Sequence, residues 1–87
     1  MVIRRKVKLV LDGDTFIVSR KIGNTDRIRL AGVNASEKYQ FKGRTATNRL
    51  RGLIGGKTVT IVPVGRSYNR LVANVRRNRK SINRRLK

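Results

Sequence analysis

The sequence contains no cysteine and no histidine among its 87 residues. Without cysteine, neither a disulfide framework nor a thiolate metal site is possible, and the redox compartment is left open. Without histidine, the chain cannot use histidine-ligated zinc, a histidine-based catalytic triad or a histidine general base. These two absences exclude much of the common chemistry of small hydrolases.

Aromatic residues are also few, and they are limited to Phe16, Tyr39, Phe41 and Tyr68. Apolar residues make up 38% of the chain, so we expect a small and mostly aliphatic core. An 87-residue chain lies near the lower end of what folds alone, and we expect a single domain over residues 1–87. This core must also withstand the self-repulsion of a net charge of +19.

Acidic residues are the scarcest charged group, with four carboxylates against 23 lysines and arginines. Asp12 and Asp14 lie in the segment Asp-Gly-Asp-Thr, Glu37 ends the segment Asn-Ala-Ser-Glu, and Asp26 stands apart. Acids that served only solubility would be scattered. Their placement suggests that negative charge is kept where a cation or a proton transfer requires it.

The charge excess indicates a polyanionic partner, and nucleic acid is the first expectation. An anionic membrane is second, because no amphipathic helix with a strong apolar face is evident. We expect no signal peptide and no membrane span, and hence a cytoplasmic or nucleoid-associated protein. The densest basic stretches, Arg4–Lys8 and Arg76–Lys87, are interpreted as possible arms. The basic residues predicted to bind nucleic acid are Arg4, Arg5, Lys6, Arg76, Arg77, Arg79 and Lys80.

The first third of the chain has the period-two pattern of β-strands. Val7, Leu9 and Leu11 alternate with other residues and predict one buried face of a first strand. A turn at residues 12–14 leads to a second strand over residues 15–19. Gly23 and Asn24 form the expected hairpin tip before a third strand over residues 27–31.

A helix is predicted over residues 42–54, because Ala46, Leu50 and Leu53 follow helical spacing. Two glycines at residues 55–56 end it. Strands are predicted over residues 57–62 and 71–75, and the sole proline, Pro63, closes the first of these or lies at an edge. After a basic turn over residues 76–80, Ser81 is expected to cap a short helical turn.

Five short strands with a helix between the third and the fourth predict a β-barrel with one main helix. We assign it to the OB-fold class, the small, partly open barrel that binds oligonucleotides and oligosaccharides. A sandwich that carries a helix is the alternative. There is no internal repeat and no linker.

Five motifs then occur in order: Asp12 to Thr15, Ile28 to Glu37, Gly43 to Leu53, Tyr68 to Arg70, and Ser81 to Leu86. Together they resemble the staphylococcal-nuclease-like (thermonuclease) family over nearly the whole chain. The resemblance implies the same barrel, here as a short variant that lacks the family's C-terminal helical elements. It also implies hydrolysis of phosphodiester bonds.

The residue types at these positions suit that reaction, which needs a divalent cation, a base for water and cations that hold the phosphate. Asp14 offers a hard oxygen ligand, and Asn34 offers a neutral one. Glu37, the only glutamate, is the candidate base. Arg29 and Arg70 are candidates for gripping phosphate oxygens.

The resemblance assigns the same residues to specific roles. Asp14 and the carbonyl of Ala35 match calcium ligands, and the expected cofactor is therefore a divalent cation, Ca²⁺ first. Glu37 matches the glutamate that orients or deprotonates the attacking water. The two arginines, Arg29 and Arg70, match the pair that binds the scissile phosphate. In the same way, Tyr68 matches a tyrosine that contacts the nucleotide.

The sequence departs from the family at three points. Asn34 stands where the family commonly has aspartate, which removes one negative charge and should weaken metal binding. Ser36 replaces the usual proline beside the glutamate. The sequence given ends at Lys87, where family members usually continue with further helical segments.

The leading hypothesis is a metal-dependent nuclease with little sequence specificity, most simply a monomer, with DNA as its first expected substrate and RNA as its second. The alternative is a non-catalytic, strongly basic nucleic-acid-binding protein on the nuclease fold. A third hypothesis is a fragment of a larger assembly. Each site residue also has an ordinary structural interpretation when taken alone, and only their joint order favours the enzyme.

Overall fold

The computed structural model describes residues 2–33 and 41–86, and the side chains of residues 41–44 are outside that description. Six strands and two helices make up these residues. In chain order they are β1 (Ile3–Asp12), β2 (Thr15–Ile22), β3 (Thr25–Leu30), α1 (Phe41–Ile54), β4 (Thr58–Ser67), β5 (Arg70–Arg77), β6 (Lys80–Ser81) and α2 (Ile82–Leu86).

The sheet closes into a barrel. Its strands follow the order β3-β2-β1-β4-β5-β6, and an additional parallel pairing joins β3 to β5. This pairing aligns Ile28 with Leu71 and Leu30 with Ala73. Five strands in this closed order, with α1 between the third and the fourth, form an OB-type barrel. The predicted fold class is confirmed, and the sandwich alternative is excluded.

Among the described residues, the core of the barrel consists of aliphatic side chains and the aromatic ring of Phe16. Every strand of the closed barrel contributes buried residues to one continuous cluster. Leu50 and Ile54 of α1 and Ile82 of α2 complete that cluster from outside the sheet. The helices therefore cover the openings that a small barrel would otherwise leave to water.

Strand β1 differs from the predicted alternation. Val7 and Val10 are buried, whereas Leu9 is 52% exposed and Leu11 is half-buried. The pairing of β1 with β2 shifts register between Val7 and Leu9 and again between Val10 and Asp12. A bulge of this kind changes which side chains face inward. The expectation that Val7, Leu9 and Leu11 share the buried face is therefore wrong.

Helix α1 begins and ends close to its predicted bounds and stops at two glycines. Leu50 and Ile54 are fully buried, and Leu53 packs against the core while half-buried. At Gly55, an added Cβ would lie 2.6 Å from the carbonyl oxygen of Arg51. Gly56 follows with a φ of +70°, the left-handed conformation that commonly ends helices. Both positions therefore favour glycine for steric reasons.

The two basic stretches are part of the barrel. Residues 4–8 lie within β1, where Arg4 pairs with Thr60 of β4. Residues 76–86 form the end of β5, then β6 and α2, and only residues 78–79 form the turn between the strands. The interpretation of these stretches as arms is wrong, because their apolar neighbours, including Val7 and Ile82, anchor them in the core.

Helix α2 is fixed to β5 by one buried amide, that of Asn83. Its Nδ2 donates to the carbonyl oxygens of Ala31 at 2.8 Å and Ala73 at 3.1 Å. Its Oδ1 accepts from the backbone N–H of Val75 at 2.7 Å. The Asn83 side chain thus bonds to β5 in the gap between the residues that pair with β3 and those that pair with β6. The predicted cap is present too, because the Ser81 hydroxyl accepts from the Arg84 N–H at 3.2 Å.

Replacing Asn83 with alanine is expected to destabilise the fold by about 2–4 kcal/mol, because it leaves buried backbone groups without partners. Urea unfolding of the variant measures this loss. Asn74→Ala is the matched control, since Asn74 is an asparagine of β5 whose side chain is exposed. An equal, small loss of unfolding free energy in both variants would show that the hydrogen bonds of the buried amide do not stabilise the fold.

Candidate functional site

The turn between β1 and β2 holds two carboxylates beside each other. The Asp12 Oδ1 accepts from the backbone N–H of Asp14 at 3.1 Å, which is an Asx turn. The Thr15 hydroxyl donates to Asp14 Oδ1 at 2.8 Å. These bonds fix the direction of the Asp14 carboxylate at the start of β2.

Asp14 faces Arg29 of β3. The Arg29 Nη2 lies 3.6 Å from Asp14 Oδ2, and the two side chains are 23% and 15% exposed. The pairing of Thr15 with Arg29 across the strands brings them together, and the Leu30 N–H also donates to the Asp14 carbonyl at 2.8 Å. Two site residues predicted from separate motifs therefore meet at one partly buried surface.

The Arg29 guanidinium also organises the backbone that follows β3. Its Nη1 donates to the Leu30 carbonyl at 3.1 Å, and its Nη2 donates to the Val33 carbonyl at 3.3 Å. Val33 is buried and directly precedes the predicted Asn-Ala-Ser-Glu segment. Arg29 therefore holds the backbone at Leu30 and Val33 and is itself held in one orientation.

Burial raises the pKa of the Asp12 carboxyl above its usual value of 3.8, and hydrogen bonding with Asp14 and the charge of Asp14 add to the rise. The pKa is raised because desolvation and a neighbouring carboxylate both penalise the ionised form. A cation close to this pair would relieve the penalty.

This raised pKa predicts a pH-dependent gain from Asp12→Asn, which keeps the side-chain oxygen that accepts from Asp14. A carboxyl whose pKa is raised by folding contributes stability below its unfolded value of 3.8 and loses it as pH rises through the folded value. We therefore expect the variant to melt above the wild type at pH 7 and at the same temperature near pH 3. A constant difference at both pH values would contradict the assigned cause.

The second part of the site is the turn between β4 and β5. Ser67 pairs with Arg70, which leaves Tyr68 and Asn69 as a two-residue turn. Tyr68 is 95% exposed and has a φ of +58°, a conformation that glycine prefers at this position. The Thr25 hydroxyl donates to the Asn69 carbonyl, at 2.6 Å, and ties this turn to the β2–β3 hairpin.

Arg70 lies on the same outer face of the barrel as Arg29. Arg29 pairs with Val72 in the parallel β3–β5 contact, two residues along β5 from Arg70. Arg70 is half-buried and lines a cavity of about 220 Å³ together with Arg66, Tyr68 and residues of the facing hairpin. The structure thus brings Asp14, Arg29, Arg70 and Tyr68 to one side of the molecule.

The predicted nucleic-acid-binding cations occupy different environments. Arg77 is half-buried and donates from Nη1 to the Leu53 carbonyl at 2.8 Å, so it joins β5 to the end of α1. Arg5 is half-buried and donates to the Arg4 carbonyl at 2.9 Å. The remaining five, Arg4, Lys6, Arg76, Arg79 and Lys80, are exposed.

The predicted residues Asn34, Ala35, Ser36 and Glu37 lie outside the described residues. Within residues 2–33 and 41–86, no three acidic side chains come together as a metal-binding group. In the same described part of the chain, no helix has the length and apolarity needed to cross a membrane.

Sequence patterns did not identify the supporting residues of this site. Thr25 is buried although polar, and two hydrogen bonds explain that burial, because its hydroxyl donates to the Asn69 carbonyl and accepts from the Arg27 N–H. The role of Asn83 was also missed, although a polar residue directly after Ile82 in a short amphipathic turn is a signal of a buried amide. Both residues act through long-range backbone contacts, which periodicity cannot show.

No known protein-family profile matches the chain. A relative from Escherichia coli O157:H7, described as "Uncharacterized endonuclease", is 43% identical over 76 aligned residues, which cover 84% of the chain and 48% of the relative. A relative from Escherichia coli with the same description has the same identity and coverage. The chain spans about half the length of the curated relatives it matches.

Proposed function

We propose that the chain is a divalent-metal-dependent nuclease domain of the staphylococcal-nuclease-like type. It hydrolyses phosphodiester bonds of DNA, and of RNA as well, with little sequence specificity. The observation that carries this proposal is the contact between Asp14 and Arg29, which sets an oxygen ligand beside a phosphate-binding group on an OB-type barrel. The description of the two relatives as endonucleases supports the same activity.

The donors of the β1–β2 turn fit a hard divalent cation. Asp14 and Asp12 present carboxylate oxygens, which Ca²⁺ and Mg²⁺ prefer over nitrogen or sulfur ligands. Asn34 and the Ala35 carbonyl would complete the set, with calcium as the expected ion. When bound, such a cation polarises a phosphoryl oxygen and offsets developing negative charge.

The chain's own residues perform the remaining tasks. Arg29 binds an equatorial phosphate oxygen, and its bond to the Val33 carbonyl orients the guanidinium. Arg70 binds the phosphate from the β5 side, and Tyr68 contacts the neighbouring nucleotide. Glu37 accepts the proton of the attacking water. Few of these contacts reach base edges, which is why little sequence preference is expected.

Arg29→Gln is expected to lower the cleavage rate by roughly 10²-fold, the usual loss when one donor to a charged transition state is removed. Arg27→Gln is the matched control, because Arg27 lies two residues away on β3, points outward and is exposed. Initial rates on single-stranded DNA with Ca²⁺ measure both, and thermal melting verifies that both variants fold. Equal rates in the two variants would remove Arg29 from the mechanism.

A non-catalytic nucleic-acid-binding protein is the second candidate, and the charge distribution favours it specifically. With four acids against 23 basic residues, a polyanion is attracted whether or not cleavage occurs. Tight binding of DNA without cleavage in the presence of any divalent cation would make this the function. Both hypotheses expect nucleic acid to bind the same surface, so only a measurement of the cleavage rate distinguishes the nuclease from the binding protein.

A further inference from the structure

A cavity of about 460 Å³ opens where the end of β5 meets β6 and α2. Of the described residues that line it, five are cations, and none carries a carboxylate. We call this feature the corner pocket. Its lining residues are Arg76, Arg79, Lys80, Ser81, Arg84 and Arg85.

The corner pocket continues across the sheet towards the N-terminus. Arg76 pairs with Ser81 on one side and with Thr60 on the other, and Thr60 pairs in turn with Arg4. Directly paired residues project to the same face, so Arg4 and Arg76 lie two strands apart on the outer surface, roughly 10 Å from each other. Cations from opposite ends of the sequence thus form one surface.

Arg79 occupies a backbone conformation that residues other than glycine and asparagine rarely adopt. Arg77 pairs with Lys80, so Asn78 and Arg79 form a two-residue turn, and both have positive φ, 52° and 68°. Such turns favour asparagine followed by glycine. Arginine at the glycine position is a local conflict, and conflicts of this kind concentrate at functional sites. Arg79 therefore places a charge in the lining of the corner pocket at a position where the backbone conformation favours glycine.

Within residues 2–33 and 41–86, none of these five cations forms an ion pair, and the carboxylate of Asp14 pairs with Arg29 instead. Five cations around one concavity repel each other and hold counterions, which a polyanion displaces on binding. The described lining residues include no large apolar side chain that could insert into a membrane, so their charges favour a strand of nucleic acid.

We infer that the corner pocket is a second binding site for the phosphodiester backbone, separate from the cleavage site. This inference rests on the proposed function only for the identification of the polyanion as nucleic acid. The outer face of β5 connects the two sites, because Arg70, Val72, Asn74 and Arg76 alternate with buried residues along the strand. Val72 lies level with Arg29, and Arg76 follows four residues later, roughly 13 Å away.

This separation sets a length requirement on the ligand. At the 3.4 Å rise per nucleotide of a stacked strand, about four nucleotides span the distance from the Arg29 level to the corner pocket. A dinucleotide at the cleavage site therefore does not reach it, whereas a strand of about twelve nucleotides does. Dependence on strand length is the signature that distinguishes a second site from general attraction.

The test compares two double variants of the 87-residue chain by fluorescence anisotropy at about 50 mM salt. Arg76→Gln/Arg84→Gln removes one cation from the strand wall and one from the helix wall of the corner pocket. Arg20→Gln/Lys21→Gln removes the same charge from exposed positions on β2. We expect the first to weaken binding of the long strand by about 10-fold or more and to lower the salt slope by about 1.4. The control should lose less than about 3-fold.

Binding of the dinucleotide should be unchanged in the pocket variant. Equal losses in both double variants, or an equal loss for the dinucleotide, would overturn the proposal. Vesicles containing about 30% phosphatidylserine form a further arm. A loss of vesicle binding in the pocket variant without a loss for the strand would assign the corner pocket to membranes and overturn it as well.

Arg79→Gly provides an independent variant whose two effects have opposite signs. Relief of the positive φ should raise the melting temperature by about 2–5 °C, while the lost charge weakens binding of the long strand. A variant that is more stable and binds equally well would contradict a role for Arg79. Absence of cleavage would end the nuclease proposal but would leave this length-dependent difference in binding intact.

Discussion

Glu37→Gln is expected to slow phosphodiester hydrolysis by roughly 10²–10⁴-fold, the usual contribution of a positioned general base. Glutamine keeps the shape of the side chain but cannot accept the proton of the attacking water. Affinity for DNA should stay equal or rise slightly, because one negative charge is removed beside a phosphate. Single-turnover rates and equilibrium binding on the same substrate separate the two effects.

Arg70→Ala is the contrasting variant, because it should weaken both the rate and the grip on the phosphate. Arg70 is half-buried at the start of β5, so thermal melting must first show that the variant folds. If Glu37→Gln hydrolyses DNA as fast as the wild type, the assignment of Glu37 as the base is wrong even though the fold stands.

Affinity for duplex DNA is expected to fall by roughly 10³-fold between 50 and 200 mM salt, if about six phosphates are neutralised. The cause is counterion release by a chain with a net charge of +19. A titration series at constant pH and without divalent cation measures the slope of log affinity against log salt. A neutral osmolyte at matched osmolality is the control, since it changes water activity without screening charge.

A slope near zero would show that contacts other than ion pairs supply the affinity, and it would contradict the electrostatic account. A steep slope that is identical for the chain and for Arg77→Gln would fit the structure, because Arg77 donates to the Leu53 carbonyl and serves the fold. If Arg77→Gln instead lowered the slope of log affinity against log salt by about one unit, Arg77 would be a phosphate contact.

Local patterns predicted the element order well because each element carries its own signal. The glycines after Ile54 ended α1 where predicted, and Gly23–Asn24 was correctly identified as the hairpin tip. The strands beside that tip are longer towards it than the predicted 15–19 and 27–31, because β2 reaches Ile22 and β3 starts at Thr25. The inward face of β1 was not predictable, since its two register shifts depend on the pairing with β2. The basic ends were misinterpreted because charge density concealed buried residues such as Val7 and Ile82.

The candidate site was predictable only in part. The Asp-Gly-Asp-Thr motif and Arg29 were identified from the sequence, but their 3.6 Å contact follows from the pairing of Thr15 with Arg29. The corner pocket was not identified as a unit. Arg76, Arg79 and Lys80 were expected to bind nucleic acid, whereas Arg84 and Arg85 join them only because α2 folds back onto β5.

The central claim is hydrolysis of phosphodiester bonds that depends on a divalent cation. The most direct measurement is the degradation of plasmid and single-stranded DNA by the purified chain with Ca²⁺, with Mg²⁺ and with a chelator. We expect cleavage with a divalent cation, most strongly with Ca²⁺, and none with the chelator. Tight binding of DNA without cleavage under any of these conditions would contradict it.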